Sequence, residues 1–189
     1  MPQHGDTDPR SAVDKLIASD RVPADARTDQ LTEADIWAIL DEVKDPEVPA
    51  VSVVELGIVR AVHWDGKELS VDVTPTYSGC PATELIEELI EEALRAAGFR
   101  NPRIKQVLTP AWTTDWITDE GREKLRAFGI APPQGSASKR SLLGESEVIT
   151  CPHCGSTHTE RVSEFGSTAC KALYRCKDCL EPFDYFKCI

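Results

Sequence analysis

Two kinds of cysteine stand in this chain, and they point to different chemistry. Near the C-terminus, "CPHC" and "CKDC" place Cys151 with Cys154 and Cys176 with Cys179, in the spacing C-x2-C-x21-C-x2-C. Two residues between paired cysteines let both sulfurs face one ion while backbone N–H groups turn toward the thiolates. Two such knuckles supply the four tetrahedral ligands of a closed structural metal site. Far upstream, in "TYSGCPATE" (Thr76 to Glu84), Cys80 stands alone on a glycine–proline corner before a predicted helix. Free N–H groups and the positive end of the helix dipole favour a thiolate there, so a lowered pKa is expected. The plainer reading of Cys80 is a small residue packed at a strand–helix junction.

A cysteine nucleophile needs a base. His63, the one histidine between residues 31 and 130, falls on a predicted strand beside Trp64, where a packed or surface role is the ordinary one. No glycine-rich phosphate loop, nucleophile elbow or histidine-rich cluster is present. No catalytic residue is assigned.

For the four paired cysteines, Zn2+ is the expected ion, and a single iron in the same tetrahedron is the alternative. His153 and His158 lie close in sequence, but four cysteines already complete the set. Cys170 and Cys188 are left over; they are either small buried or surface thiols, or one of them replaces a knuckle cysteine or binds a second metal. About 42 residues carry too little core to fold alone, so the metal must supply folding free energy.

The elements that position these residues follow from periodicity. "LTEADIWAILDEV" is a predicted helix, with Thr32 and Asp35 in capping-box spacing and Ile36, Leu40 and Val43 on one face. "DPEVP" ends it, and "VSVVELG" reads as a short turn. Ile58 to Trp64 and Glu68 to Val73 flank "DG" as a hairpin. "PATELIEELIEEALRAAG" is a helix with Pro81 in its first turn and an apolar face of Leu85, Ile86, Leu89, Ile90, Ala93 and Leu94. Its glutamates, Glu84, Glu87, Glu88, Glu91 and Glu92, read as the solvated face. "RIKQVLTP" is a third strand, and "TDEGREKLRAFG" a last helix ending at Gly129. The predicted fold is α+β: a small three-stranded sheet with helices packed on it, followed by a C-terminal zinc-ribbon module. The expected boundaries are a disordered tail over 1–30, the α+β domain over 31–130, a linker over 131–147 and the ribbon over 148–189.

The net charge of −11 is unevenly spread. Residues 31–130 carry 19 acidic and 10 basic side chains, whereas 148–189 carry five of each. Nucleic-acid binding needs a Lys/Arg face, so a DNA-binding role for the ribbon is disfavoured and protein contact is expected instead. The ribbon's aromatics, Phe165, Tyr174, Phe183, Tyr185 and Phe186, suit both a small core and an interface. No stretch has the length and apolarity of a membrane span, and the N-terminus lacks the basic and apolar regions of a secretory signal. A cytoplasmic location is expected, where clustered thiols bind metal rather than form disulfides.

"DPEVPAVSVVELGIVRAV" followed by "VDVTPTYSGCP" resembles the metal–sulfur cluster biosynthesis family, whose domain SufT-type iron–sulfur assembly proteins share. The likeness covers roughly residues 31–130. In that family an acidic DPE-type turn, a strand-end threonine and the GCP cysteine form one small pocket; here the matching positions are Asp45, Glu47, Thr74 and Cys80. The run "FGSTACKALYRC" with "CLEPFDYFKC" further resembles the accessory proteins encoded with the phenylacetyl-CoA ring epoxidase. That resemblance implies a place in bacterial phenylacetate catabolism. The implied partners are the epoxidase components, among them a reductase with flavin and a [2Fe–2S] cluster, together with iron–sulfur assembly proteins.

The resemblance implies a maturation factor in which Cys80 accepts or passes iron or a cluster, with Asp45 and Glu47 as acidic support. One cysteine cannot hold a [2Fe–2S] centre, which takes four ligands. Cys80 should therefore act with a partner protein, a small thiol or a second copy, a homodimer pairing two Cys80 residues being one route. A non-catalytic structural subunit of the oxygenase is the competing expectation.

Overall fold

The computed structural model describes residues 31–65, 68–77, 79–134 and 148–187. Residues 1–30, 66–67, 78, 135–147 and 188–189 lie outside the described residues, and with them the expected tail, most of the expected linker and Cys188.

Helix α1 (Glu33–Asp41) starts where its cap dictates. The Thr32 side chain accepts from the Asp35 N–H while an Asp35 carboxylate oxygen accepts from the Thr32 N–H at 2.8 Å. Ile36 and Leu40, one turn apart, are fully buried. Strands β1 (Val59–Asp65) and β2 (Glu68–Val73) pair antiparallel, as the hairpin pattern predicts. Helix α2 (Thr83–Ala96) then crosses over to β3 (Arg103–Gln106), which pairs parallel to β2. The sheet order is β1-β2-β3.

Two details of α2 differ from expectation. The helix begins at Thr83, so Pro81 and Ala82 form a lead-in turn, and Ala82 makes no side-chain cap. Its buried stripe is Ile86, Ile90 and Leu94, at four-residue intervals, while Leu85 is 45% exposed. Leu85 stands one position off that stripe, about 100° around the helix, and so misses the core.

Helix α3 (Asp119–Ala127) is capped by Thr118, whose hydroxyl accepts from the Gly121 N–H at 3.0 Å. The loop from Ser52 to Leu56 holds it. Glu55, 6% exposed, pairs with Lys124 of α3, and its carbonyl accepts from the Thr118 N–H at 2.9 Å. Burial pushes the Glu55 carboxyl up, but hydrogen bonds from Lys124 and the Ser52 N–H outweigh it and hold the pKa below 4.5. Gly57 closes this loop at φ +67°; a Cβ there would lie 2.6 Å from the Trp116 Cβ.

The second sheet has the order β4-β7-β6-β5, from β4 (Ile130–Ala131), β5 (Thr159–Ser163), β6 (Lys171–Cys176) and β7 (Pro182–Phe186). Strand β4 directly follows α3 and pairs parallel to β7, so the cysteine-rich module takes an edge strand from the segment before the linker. Packing joins the two parts as well. Cys170 and Phe186 belong to the same buried cluster as Ile36, Val71 and Ile90. The rings of Trp112 and Phe186 lie 6.1 Å apart. A smaller cluster, with Ala131, Ile149, Ala172, Phe183 and Tyr185, fills the ribbon itself. Among the described residues no helix is long and apolar enough to cross a membrane.

Candidate functional site

Asp45 builds the first wall of the site. The turn closes through backbone and side chain together: the Val48 N–H reaches the Asp45 carbonyl at 3.2 Å, and Asp45 Oδ1 accepts from the N–H groups of Glu47 and Val48, both at 2.8 Å. The carboxylate is only 6% exposed, and burial raises its pKa against those hydrogen bonds. The turn aims Glu47 toward the ribbon, where its Oε2 lies 3.9 Å from Cys170 Sγ. Burial, and then the Asp45 charge, raise the Glu47 pKa. Lys171, itself 3% exposed, reaches the Glu47 carbonyl at 3.4 Å and sets one positive charge beside these two acids.

The opposite wall is the corner before α2. Gly79 adopts φ +83° with nothing near the position a Cβ would take, so the glycine serves the turn and leaves open space. The Cys80 N–H closes that turn on the Tyr77 carbonyl at 3.2 Å, and the thiol is half-buried. The Tyr77 phenol is pushed up to about 12 by burial, by the neighbouring Cys80 charge and by a hydrogen bond with that side chain.

Between these walls lies a cavity of about 20 Å³. Asp45, Glu47, Thr76, Cys80 and Cys170 line it, Leu56, Ile58 and Phe186 form apolar lining, and Glu87 of α2 stands at one side. Three of the four residues expected from the family pattern are therefore together: Asp45, Glu47 and Cys80. Thr74 is not in the lining. It sits between two residues that are, Val73 and Pro75; its N–H is tied to the Ile58 carbonyl at 2.8 Å, and its Oγ1 is buried without a hydrogen-bond partner. Thr76, two residues on in the bend after β2, takes the lining position.

Besides Thr76, two titratable lining residues are not apparent from the sequence. Cys170 comes from the ribbon, about ninety residues after Cys80, and no local pattern connects them. The one signal is that it remains once four cysteines are paired. Its thiol is buried, and burial raises its pKa against the Thr168 hydroxyl 3.0 Å away. Glu87 is expected on the solvated face, but it is half-buried and its pKa is raised by burial and by Glu84. His63 is bound elsewhere: its Nε2 lies 3.0 Å from Asp72 Oδ2 on the β1–β2 hairpin. It does not line the cavity, so no Cys–His pair forms.

The ribbon cysteines make a second, separate centre. Cys151, Cys154, Cys176 and Cys179 bring their sulfurs within 4.8 Å of one another. The Cys151–Cys179 pair is 3.8 Å apart and the Cys154–Cys176 pair 3.6 Å. A tetrahedron with Zn–S bonds of about 2.3 Å has sulfur–sulfur edges of about 3.8 Å, so the four residues fit a metal ion. The knuckles supply the expected N–H groups: those of Cys179 and Asp178 hold the Cys176 thiol down at about 6. In each knuckle the residue after the second cysteine turns left-handed, Gly155 at φ +75° and Leu180 at φ +67°. Neither histidine joins the set; His158 Nδ1 lies 3.2 Å from Asp178 Oδ1, and His153 packs beside Gly129.

Known proteins resemble both halves. Residues 33–100 match the iron–sulfur cluster assembly protein family, and residues 135–187 match the PaaD zinc beta ribbon domain. A protein of Escherichia coli (strain K12), named as a subunit of 1,2-phenylacetyl-CoA epoxidase, is 52% identical over 155 residues, which is 82% of this chain and 92% of that protein. An Fe-S protein maturation auxiliary factor of Porphyromonas gingivalis is 33% identical over 97 residues, 50% of this chain and 90% of its own length. A crystal structure of a domain of unknown function from Bacillus anthracis, 26% identical, covers 49% of this chain and 90% of that chain with a TM-score of 0.46.

Proposed function

Because this chain belongs to the PaaD family of phenylacetyl-CoA epoxidase subunits, we propose that it is an accessory protein of the phenylacetyl-CoA ring epoxidase in phenylacetate degradation, acting in iron–sulfur or iron-centre maturation of that complex. The observation that carries this reading is the half-buried thiol of Cys80 opening on a cavity walled by Asp45 and Glu47, within the part of the chain that matches iron–sulfur assembly proteins.

The residues divide the work. Cys80 offers the thiolate that takes the cargo. Glu47 and Asp45 supply negative charge that favours a cation, and the Lys171 ammonium limits that charge, so a cation entering the cavity is attracted without being trapped. The Tyr77 hydroxyl stays protonated at neutral pH and is a hydrogen-bond donor beside the Cys80 sulfur. The cavity volume matters here. About 20 Å³ is room for one water-sized occupant, so a bare iron ion fits inside, whereas a [2Fe–2S] rhomb has to sit at the mouth with ligands from a partner. The partners in this reading are the epoxidase components, including the flavin and [2Fe–2S] reductase, and upstream iron–sulfur assembly proteins.

In the ribbon, Cys151, Cys154, Cys176 and Cys179 would hold Zn2+, which has no redox chemistry and supplies only folding free energy. Thr74, outside the cavity lining between Val73 and Pro75, would act on cargo only if its buried, unpartnered hydroxyl turned into the cavity.

Anaerobic reconstitution with iron and sulfide, followed by spectra and transfer to the metal-free reductase, tests the role of Cys80. Wild-type protein is expected to take up and pass iron, and Cys80→Ser to lose most of both. Equal uptake and transfer by Cys80→Ser would end the proposal.

A structural-subunit reading has its own support: the Escherichia coli relative is named a subunit, and the ribbon exposes Val162, Phe165 and Leu180. That reading expects stoichiometric co-purification with active epoxidase and loss of activity when this chain is stripped away. Full activity after stripping favours maturation.

A further inference from the structure

The maturation reading leaves Cys80 needing a second ligand, and a second copy of the chain is one source. The structure offers a nearer one. Cys170, just before β6, lines the same cavity as Cys80, and it arrives there because the ribbon packs into the first domain's buried cluster, with Phe186 against Trp112 of the loop after β3.

We propose that Cys80 and Cys170, with Glu47, form one intrachain site for a single divalent transition-metal ion, so that the ribbon completes the cargo site rather than only flanking it.

The observations converge from separate segments. Two thiols and a carboxylate face a space of about 20 Å³, the size of one ion. The Glu47 Oε2 already stands 3.9 Å from Cys170 Sγ. Sulfur and oxygen donors together suit iron(II) or zinc over magnesium or calcium, which prefer oxygen alone. The neighbouring Thr74 Oγ1, buried and unpartnered, marks a polar atom left unsatisfied beside Val73 and Pro75 of the lining. Cys170 has no other assigned task, since four other cysteines complete the ribbon centre.

The site is not pre-assembled. Among the described residues only the ribbon cysteines have three or more ligand atoms within 4.8 Å of one another. Binding therefore draws the side chains in, and the ion is held by fewer and less rigid ligands than in the ribbon. Such a site releases what it takes. The step itself is ligand exchange: two thiols lose two protons to solvent, two metal–sulfur bonds and one metal–oxygen bond from Glu47 replace three metal–water bonds, and no atom changes oxidation state. The inference rests on the maturation reading for the identity of the cargo, but not for the existence of the site.

Cobalt(II) is the probe, titrated anaerobically into full-length protein whose ribbon is already loaded with zinc. Wild type is expected to bind one further ion per chain with sulfur-to-cobalt charge-transfer absorption. Loss of a partner that only supports a metal ligand costs about 10–100-fold in affinity, so removal of either sulfur should cost at least about tenfold. Cys170→Ser and Cys80→Ser are each expected to show that loss and about half the charge-transfer intensity of wild type. Cys170→Ala serves as a second variant, and retained ribbon zinc with an unchanged far-ultraviolet spectrum certifies folding.

If Cys170→Ser and Cys170→Ala bind the second ion as wild type while Cys80→Ser does not, the shared site is wrong and the Cys80 reading survives. If wild type binds no second ion, the shared site is overturned outright, and iron–sulfur transfer by Cys80 is then decided by the reconstitution assay alone.

Discussion

The two cysteine sites differ in the way a lock differs from a hand. In the ribbon, four sulfurs lie within 4.8 Å of one another, placed by two knuckles whose N–H groups already point at the thiolates. In the cavity, Cys80 and Cys170 come from different parts of the chain and meet across an acid-lined space that no regular geometry closes. Local sequence builds the first; tertiary packing builds the second. A centre assembled by neighbours in sequence can be rigid and permanent, whereas one assembled by docking can open when its parts shift. That contrast is what a protein needs if it keeps one metal and gives another away.

Removing the ribbon metal should have the largest effect. Structural zinc contributes on the order of 10 kcal/mol to such modules, far more than the ribbon's small apolar cluster supplies. Cys176→Ser, or a strong chelator, is expected to melt the four-stranded sheet and, through Cys170 and Phe186, to open the cavity as well. Circular dichroism with a thiol-reactivity assay at Cys80 reads both. An unchanged Cys80 after ribbon melting would break the link between the sites.

Phe186→Ala probes the same link without touching a ligand. The ring is 2% exposed, packs 6.1 Å from Trp112 and lines the cavity. Truncation should cost about 3–5 kcal/mol in thermal or denaturant unfolding. It should also weaken metal binding at the cavity while leaving the ribbon stoichiometry intact. Equal loss at both sites would mean that they are not the separable centres described above.

A smaller effect is expected inside the ribbon. Leu180 holds φ +67° at the place where the other knuckle has Gly155, and its side chain is 60% exposed. Leu180→Gly should relieve about 1 kcal/mol of left-handed strain while losing little buried area. Greater resistance of the ribbon metal to chelation is the readout; weaker retention would show that Leu180 packs on something the strain argument omits.

The smallest effect lies away from both sites. Glu55 is held below 4.5 in the fold, so its contribution is fully present above that ordinary value and fades as pH falls through the lower, folded one. Lys124 is about half exposed, which limits the pair to about 1 kcal/mol or less. Lys124→Met should therefore flatten the acid limb of the stability profile below about pH 4.5 and leave both cysteine sites unaltered.

The same contrast explains what could be read from the chain in advance. The ribbon's ligands, the capped helix α1 and the hairpin were legible because each rests on spacing within a dozen or so residues, or on a repeated knuckle, whereas the parallel β2–β3 pairing was not. Asp45, Glu47 and Cys80 were legible through a family pattern. Cys170, Thr76 and Glu87 were not, because membership of the cavity depends on how the ribbon sheet docks and how α2 is rotated. The two-residue strand β4 was hidden for a like reason: Ile130 and Ala131 form a strand only because β7 is there to pair with them.

The most direct measurement is to make the phenylacetyl-CoA epoxidase with and without this protein, purify each component free of it, and determine activity and metal content. Maturation predicts low activity and iron-deficient components in the absence of this chain, and full activity that persists once the chain is removed from epoxidase made in its presence. Components with full metal content and full activity when made without it would contradict the account.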